Sequence, residues 1–136
     1  NATQMSKQKI KMVSPLHRAL SSGNIEVFKY LIEQCHANVE TKDNYGWTPL
    51  HFASEKGLNE AVRYLIEQCH ANVEAETNSG WTPLHFASGN GHIKVVRYLI
   101  EQCHANVEVR NNYGNTPLDE APFRNETREY LQSLAH

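Results

Sequence analysis

The segment Gly46-Trp47-Thr48-Pro49-Leu50-His51-Phe52-Ala53-Ser54 returns unchanged 34 residues later as Gly80 to Ser88. A second segment, Tyr-Leu-Ile-Glu-Gln-Cys-His-Ala-Asn-Val-Glu, begins at Tyr30, Tyr64 and Tyr98, again 34 residues apart. Identity at a fixed spacing of this size marks a repeat array, in which one supersecondary unit is copied because it cannot bury its apolar face alone. The register reaches back to Ser14-Pro15-Leu16-His17 and forward to Gly114-Asn115-Thr116-Pro117-Leu118-Asp119, which makes four units.

Local chemistry within a unit predicts two short helices. Asp43-Asn44-Tyr45-Gly46 is turn sequence, Thr48 is a suitable N-cap, and Pro49 suits the first helical position, where its missing N–H costs nothing. That helix is expected to stop near Gly57 and a second to start at about Asn59, with Ala61, Val62, Leu65 and Ile66 on one face. Val27, Phe28, Leu31 and Ile32, and Val95, Val96, Leu99 and Ile100, repeat that stripe. On the opposite face Lys29, Arg63 and Arg97 each stand four residues before a glutamate, Glu33, Glu67 and Glu101, a spacing that predicts weak ion pairs within a helix.

These residues, Gly-Trp-Thr-Pro-Leu-His-Phe-Ala-Ser followed by Gly-His-Ile-Lys-Val-Val-Arg-Tyr-Leu-Ile, resemble the ankyrin repeat from roughly Met12 onward. The resemblance implies an all-α solenoid of helix-turn-helix units joined by β-hairpin-like loops, with units at about 12–42, 43–76, 77–110 and 111–136. Residues 1–11 read as an N-terminal tail, with Asn1-Ala2 as possible vector remnants ahead of Met5. Arg18, in place of Phe52 and Phe86, and Asp119 and Pro122 in the last unit mark the outer units as caps with polar outer faces. The family places a Gly where the second helix ends and has a 33-residue unit; here that point reads Gln-Cys-His-Ala and the unit has one residue more. The extra residue is expected in this helix exit, either with His or Asn in a left-handed conformation or as one more residue of helix.

The composition excludes several function classes. A net charge of -2, from 13 Lys plus Arg and 15 Asp plus Glu, gives no footprint for nucleic acid. No apolar run approaches a membrane span, and no apolar core follows the N-terminal lysines as in a secretory signal. Three cysteines in identical contexts, at Cys35, Cys69 and Cys103, point to free thiols in a cytoplasmic setting more than to a disulfide framework. The Asn-x-Thr sequons at Asn1 and Asn125 do not outweigh this. Each cysteine precedes a histidine, His36, His70 and His104, so a metal or redox sensor has to be weighed. Equivalent positions on stacked units lie roughly 8 to 10 Å apart, whereas zinc ligands converge to about 2.0 to 2.3 Å from one ion. No cofactor or metal is therefore expected. The resemblance assigns His17, His51 and His85 a structural role, bonding around the start of the first helix and to neighbouring backbone. No nucleophile-base pattern, phosphate loop or metallohydrolase motif is present, so no catalytic residue is expected.

The remaining expectation is a partner-binding surface. By resemblance, the hairpin tips and the exposed side of the first helix form a concave groove carrying Asn44, Tyr45, Trp47, Glu55, Lys56, Asn78, Ser79, Trp81, Asn90, Asn112, Tyr113 and Asn115. Lys42, Glu76, Arg110, Ser21 and Ser22 flank it. Sequence variation between the copies collects at these tips and helix exits, and Tyr and Trp are the side chains that dominate binding energy at interfaces. The expected function is non-catalytic recognition of an unidentified protein by a monomer, with no small-molecule substrate. Trp47 and Trp81 could instead shield the stack. The sequence is also compatible with a regulatory or targeting segment of a larger protein, such as a bacterial effector secreted into a host cytosol, and, less readily, with the metal or redox sensor.

Overall fold

The computed structural model describes residues 14–134; the expected tail over residues 1–11 lies outside the described residues. Among the described residues eight α-helices follow one another in pairs: α1 (Pro15–Ser21) with α2 (Ile25–Glu33), α3 (Pro49–Lys56) with α4 (Asn59–Glu67), α5 (Pro83–Gly89) with α6 (Ile93–Arg97), and α7 (Pro117–Glu120) with α8 (Glu126–Ser133). A π-helical turn, Tyr98–Gln102, extends α6. The first helices of successive pairs pack side by side, α1 on α3, α3 on α5 and α5 on α7, and no strand occurs among the described residues.

Each first helix starts as its sequence dictates. The Thr48 hydroxyl accepts the His51 backbone N–H, and the Thr48 N–H donates to His51 Nδ1 at 2.9 Å, a capping box in which imidazole replaces the usual Glu or Gln. That bond leaves Nδ1 unprotonated, so the ring carries its proton on Nε2 and donates it to the Ala75 carbonyl of the next unit at 2.8 Å. His85 repeats the arrangement, taking the Thr82 N–H and donating to the Asn115 carbonyl, and the His17 Nε2 pairs with the Trp47 carbonyl. All three rings are fully buried. In the last unit Asp119 caps Thr116 through its carboxylate at 2.9 Å, which holds its pKa below the ordinary value. It completes the local cap without a ring to reach onward. Helix α7 ends at Glu120 because Pro122 follows and drives Ala121 to ψ 138°.

The core is a continuous stripe of Leu16, Leu20, Phe28, Leu50, Val62, Leu65, Leu84, Val96 and Leu99, interleaved with alanines where helices approach closely. Val27 departs from the expected stripe and is 45% exposed, whereas Ala61 and Val95, its counterparts, are buried. Val95 lies beside Asn59, Val62 and Arg63 of the preceding unit, and no unit precedes Val27 among the described residues.

The helix exit accommodates the extra residue. His36, His70 and His104 all take left-handed conformations, φ 55 to 57°. The closing bonds run from Ala37 to the Leu31 carbonyl, Ala71 to Leu65 and Ala105 to Leu99. A Schellman closure spans five residues; these span six, and the π-helical turn in the third copy absorbs the same insertion. The expectation of one more residue of α-helix is not met.

Candidate functional site

The groove is built on hairpin tips that their own sequence fixes. Asp43 Oδ1 accepts the backbone N–H groups of Tyr45 and Trp47, both at 2.9 Å. Thr77 Oγ1 does the same for Ser79 and Trp81, and Asn111 Oδ1 for Tyr113 and Asn115. Short side-chain acceptors at the first turn position preorganise such loops. Neighbouring tips are stitched together: the Asn78 N–H donates to the Tyr45 carbonyl and its side-chain amide to that of Asn44, while Asn112 repeats both bonds to Ser79 and Asn78. Gly46 and Gly80 turn with positive φ where a Cβ would lie 2.5 to 2.6 Å from Asn78 or Asn112, so only glycine lets the tips approach.

Between the tips and the first helices lies a groove of about 630 Å³, lined by Tyr45, Trp47, Phe52, Trp81, Phe86 and Tyr113 together with Asp43, Glu55, Thr77, Asn78 and Ser79. Its floor is an aromatic stack. The Trp47 ring lies 4.8 Å from Phe52 and 4.3 Å from Phe86, and Trp81 lies 5.0 Å from Phe86, tilted contacts at the close end of aromatic pairing. Tyr45 and Tyr113 stand clear of it, 66% and 74% exposed.

Seven of the residues expected from sequence thus line one groove: Tyr45, Trp47, Glu55, Asn78, Ser79, Trp81 and Tyr113. Lys56 and Asn90 line a neighbouring depression with Ser21, Ser22, Gly23, Glu55 and Leu58. The other three lie on the tips outside the groove lining. Asn44 and Asn112 take part in the tip stitching, and Asn115 presents its carbonyl to His85 and its side-chain amide to Glu120. The tryptophans both line the groove and pack on the first helices, so lining and shielding coincide in the same rings.

Phe52 and Phe86 belong to the groove and were absent from the sequence expectation. Their signal was the charge at the equivalent positions, Arg18 and Glu120, which shows that this side of the helix reaches the groove surface at the two ends of the array, although Phe86 itself is 7% exposed.

From the second unit onward the outer face, by contrast, is satisfied within the chain, and only in the first unit does its tyrosine, Tyr30, stand exposed among the described residues. Tyr64 donates its hydroxyl to Glu33 at 2.5 Å, Tyr98 to Glu67 at 2.7 Å and Tyr130 to Glu101 at 2.6 Å. Burial, with the neighbouring carboxylate, pushes the Tyr64 and Tyr130 hydroxyls up to about 12 and raises that of Tyr98 as well. Above each ring sits a cation of the preceding unit, Lys29 over Tyr64, Arg63 over Tyr98 and Arg97 over Tyr130. Arg63 and Arg97 pair with Glu67 and Glu101 as expected, at 3.4 and 3.2 Å. Lys29 does not pair with Glu33; it reaches Glu60 of the next unit at 2.8 Å. The position equivalent to Glu60 in the third unit is Lys94, and among the described residues the pair of Lys29 with Glu60 is the one ion pair that joins two units.

Among the described residues no three His, Cys, Asp or Glu side chains are grouped to hold a metal ion. The cysteines are free thiols, and partial burial raises the pKa of Cys69 and Cys103, which lowers their reactivity. No helix among the described residues is long and apolar enough to cross a membrane.

The family model for ankyrin repeats (3 copies) matches residues 2–77 and 69–136. No curated protein matches the chain. Ankyrin repeats are in general protein-protein interaction modules and typically non-catalytic. Repeat register, stacked helix pairs and family match agree, and the chain belongs to the ankyrin-repeat family.

Proposed function

We propose that the chain recognises a partner protein through the groove between its hairpin tips and first helices, with Trp47, Trp81, Phe52 and Phe86 as the floor and Tyr45 and Tyr113 as the gripping side chains. The observation that carries this is the contrast in saturation. Tyr45 and Tyr113 project from a rigid, hydrogen-bonded frame and are the most exposed of the groove's rings, whereas the outer-face tyrosines Tyr64, Tyr98 and Tyr130 are committed to glutamates. Rigid aromatic side chains contribute large contact area at small entropic cost, which makes them the anchors of protein interfaces.

Tyr45→Ala and Tyr113→Ala test this without disturbing the fold. Partner capture from a lysate of the source cell, quantified against wild type, is expected to fall at least about tenfold in the double variant, since hot-spot truncations typically exceed 1 kcal/mol. Undiminished capture by a double variant with wild-type thermal unfolding would overturn the assignment. Trp47→Ala and Trp81→Ala serve as the second arm, read together with unfolding because those rings also hold the stack.

A further inference from the structure

We infer that the occupant of the groove is a basic peptide segment of the partner, which lays an arginine side chain across the Trp47 and Trp81 rings with its guanidinium toward Glu55; this rests on the groove being the binding surface. The groove lining supplies six aromatic rings and two carboxylates, Asp43 and Glu55, and no cation. Lys42 and Arg18 stand outside that lining, and two further cations are held elsewhere. Arg110 is held by the Gly114 carbonyl at 2.7 Å, and Lys56 lines the separate depression beside Asn90.

The two carboxylates differ in use. One oxygen of Asp43 is committed to the Tyr45 and Trp47 N–H groups of its own turn. Glu55 is half-buried on α3, and the contact at its position is made by its backbone carbonyl, which pairs with His92 Nε2 at 2.7 Å. That contact fixes the backbone and leaves the side-chain carboxylate as the groove's acceptor. An apolar occupant would satisfy the rings but would remove water from Glu55 without replacing its solvation, a cost burial imposes on any unpaired charge. An acidic occupant would add like-charge repulsion. A cationic side chain answers both features, through the ring quadrupoles and through the carboxylate. Arginine suits this floor better than lysine because its planar guanidinium stacks on aromatic faces while donating in its own plane.

The experiment pans a randomised twelve-residue peptide library on the folded full chain and measures the enriched peptides by fluorescence anisotropy. Each is also made with citrulline, the neutral near-isostere, in place of each arginine, and is tested against Glu55→Gln and the Tyr45→Ala/Tyr113→Ala double variant. The expected result is peptides containing arginine whose affinity falls about tenfold on citrulline replacement, in line with a partly desolvated cation–π contact plus an ion pair. Their affinity is also expected to fall on Glu55→Gln and to weaken with salt. Peptides that lose binding to the tyrosine double variant yet lack basic residues, or are indifferent to citrulline and to Glu55→Gln, overturn this inference and leave the groove reading intact. Peptides that bind every groove variant equally, or failure to enrich any, overturn both. Glu55→Gln keeps size and shape near the end of a helix, so its effect is read on a folded protein.

Discussion

The two long faces of this stack draw on similar side chains and use them in opposite ways. On the outer face, the hydroxyls of Tyr64, Tyr98 and Tyr130 are bonded to a glutamate of the preceding unit and their rings carry a cation from the same unit, while Tyr30, in the first unit, is 59% exposed. On the groove face, Tyr45 and Tyr113 project into solvent and Glu55 lies beside a bare aromatic floor. The outer tyrosines recur once per unit, 34 residues apart from Tyr64 to Tyr98 and 32 from Tyr98 to Tyr130, so each of these three meets a glutamate of the unit before it, whereas the tips alternate Asn-Tyr-Gly-Trp, Asn-Ser-Gly-Trp and Asn-Tyr-Gly-Asn. In a nearest-neighbour stack, stability comes from periodic pairs. What is not periodic is free to serve something outside the chain.

The largest effects should come from the joints beneath both faces. His51→Ala removes a buried ring together with its bonds to Thr48 and Ala75, and should cost about 3 kcal/mol or more, seen as a lower urea midpoint. Its pH dependence has a defined sign. Burial lowers the His51 pKa to about 4 from 6.5, and lowers His85 as well. The unfolded chain therefore binds protons that the folded chain refuses, and stability present above pH 6.5 is lost as pH falls toward 4, by about 3 kcal/mol from His51. The carboxylates with depressed pKa, Glu67 and Asp119, lose their contribution only as pH falls below their ordinary values of 4.5 and 3.8, beneath the interval from pH 6.5 to 5. A His51→Gln variant should flatten the melting-temperature profile between pH 6.5 and 5; an unchanged slope would remove His51 as its cause.

Next in size is Trp47→Ala, which should lower stability by about 2 kcal/mol, less than a full core truncation because the ring is half-buried. It should also weaken partner capture. Loss of capture without loss of stability would make the floor purely a binding surface, and the reverse would make it purely packing. Tyr98→Phe separates the faces more cleanly. Removing the hydroxyl that serves Glu67 should cost about 1 kcal/mol in chemical denaturation and leave capture untouched. If capture fell as well, the outer face would no longer stand as self-contained.

The smallest expected effect is a gain. At His70 the left-handed backbone strains a residue with a Cβ. Glycine relieves that strain but adds freedom to the unfolded chain, for a net stabilisation of about 0.5 kcal/mol in His70→Gly. A loss of stability would show that the imidazole contributes more at the exit than its conformation costs.

How far these features were legible follows from how local they are. The first helix was readable from Thr48-Pro49 to Gly57, because its cap, its first-turn proline and its left-handed stop, φ 70°, are adjacent in sequence. The left-handed histidines were legible as one option from the missing glycine and the extra residue. The Lys29 pairing was misread because the i to i+4 rule considers one helix, and the competing Glu60 lies 31 residues on. Once the period is known, that partner is readable too. Seven of the twelve expected groove residues line it, and Phe52 and Phe86 were passed over because they lie within the repeated helix segment, whereas the expectation drew on positions that vary between the copies.

The sequence by itself determined the repeat, the helix boundaries within it and the residues that must stack, since each depends on short-range backbone chemistry copied at a fixed interval. Only the tertiary structure decided which aromatic rings share a surface and which polar groups are already spent. Trp47 meets Phe86 from the next unit, Asn78 is committed to stitching the tips, and the groove lining gathers carboxylates without cations. Those outcomes depend on the distance and rotation between successive units, which arise from the packing of alanines and leucines across the first helices rather than from any residue in the groove itself.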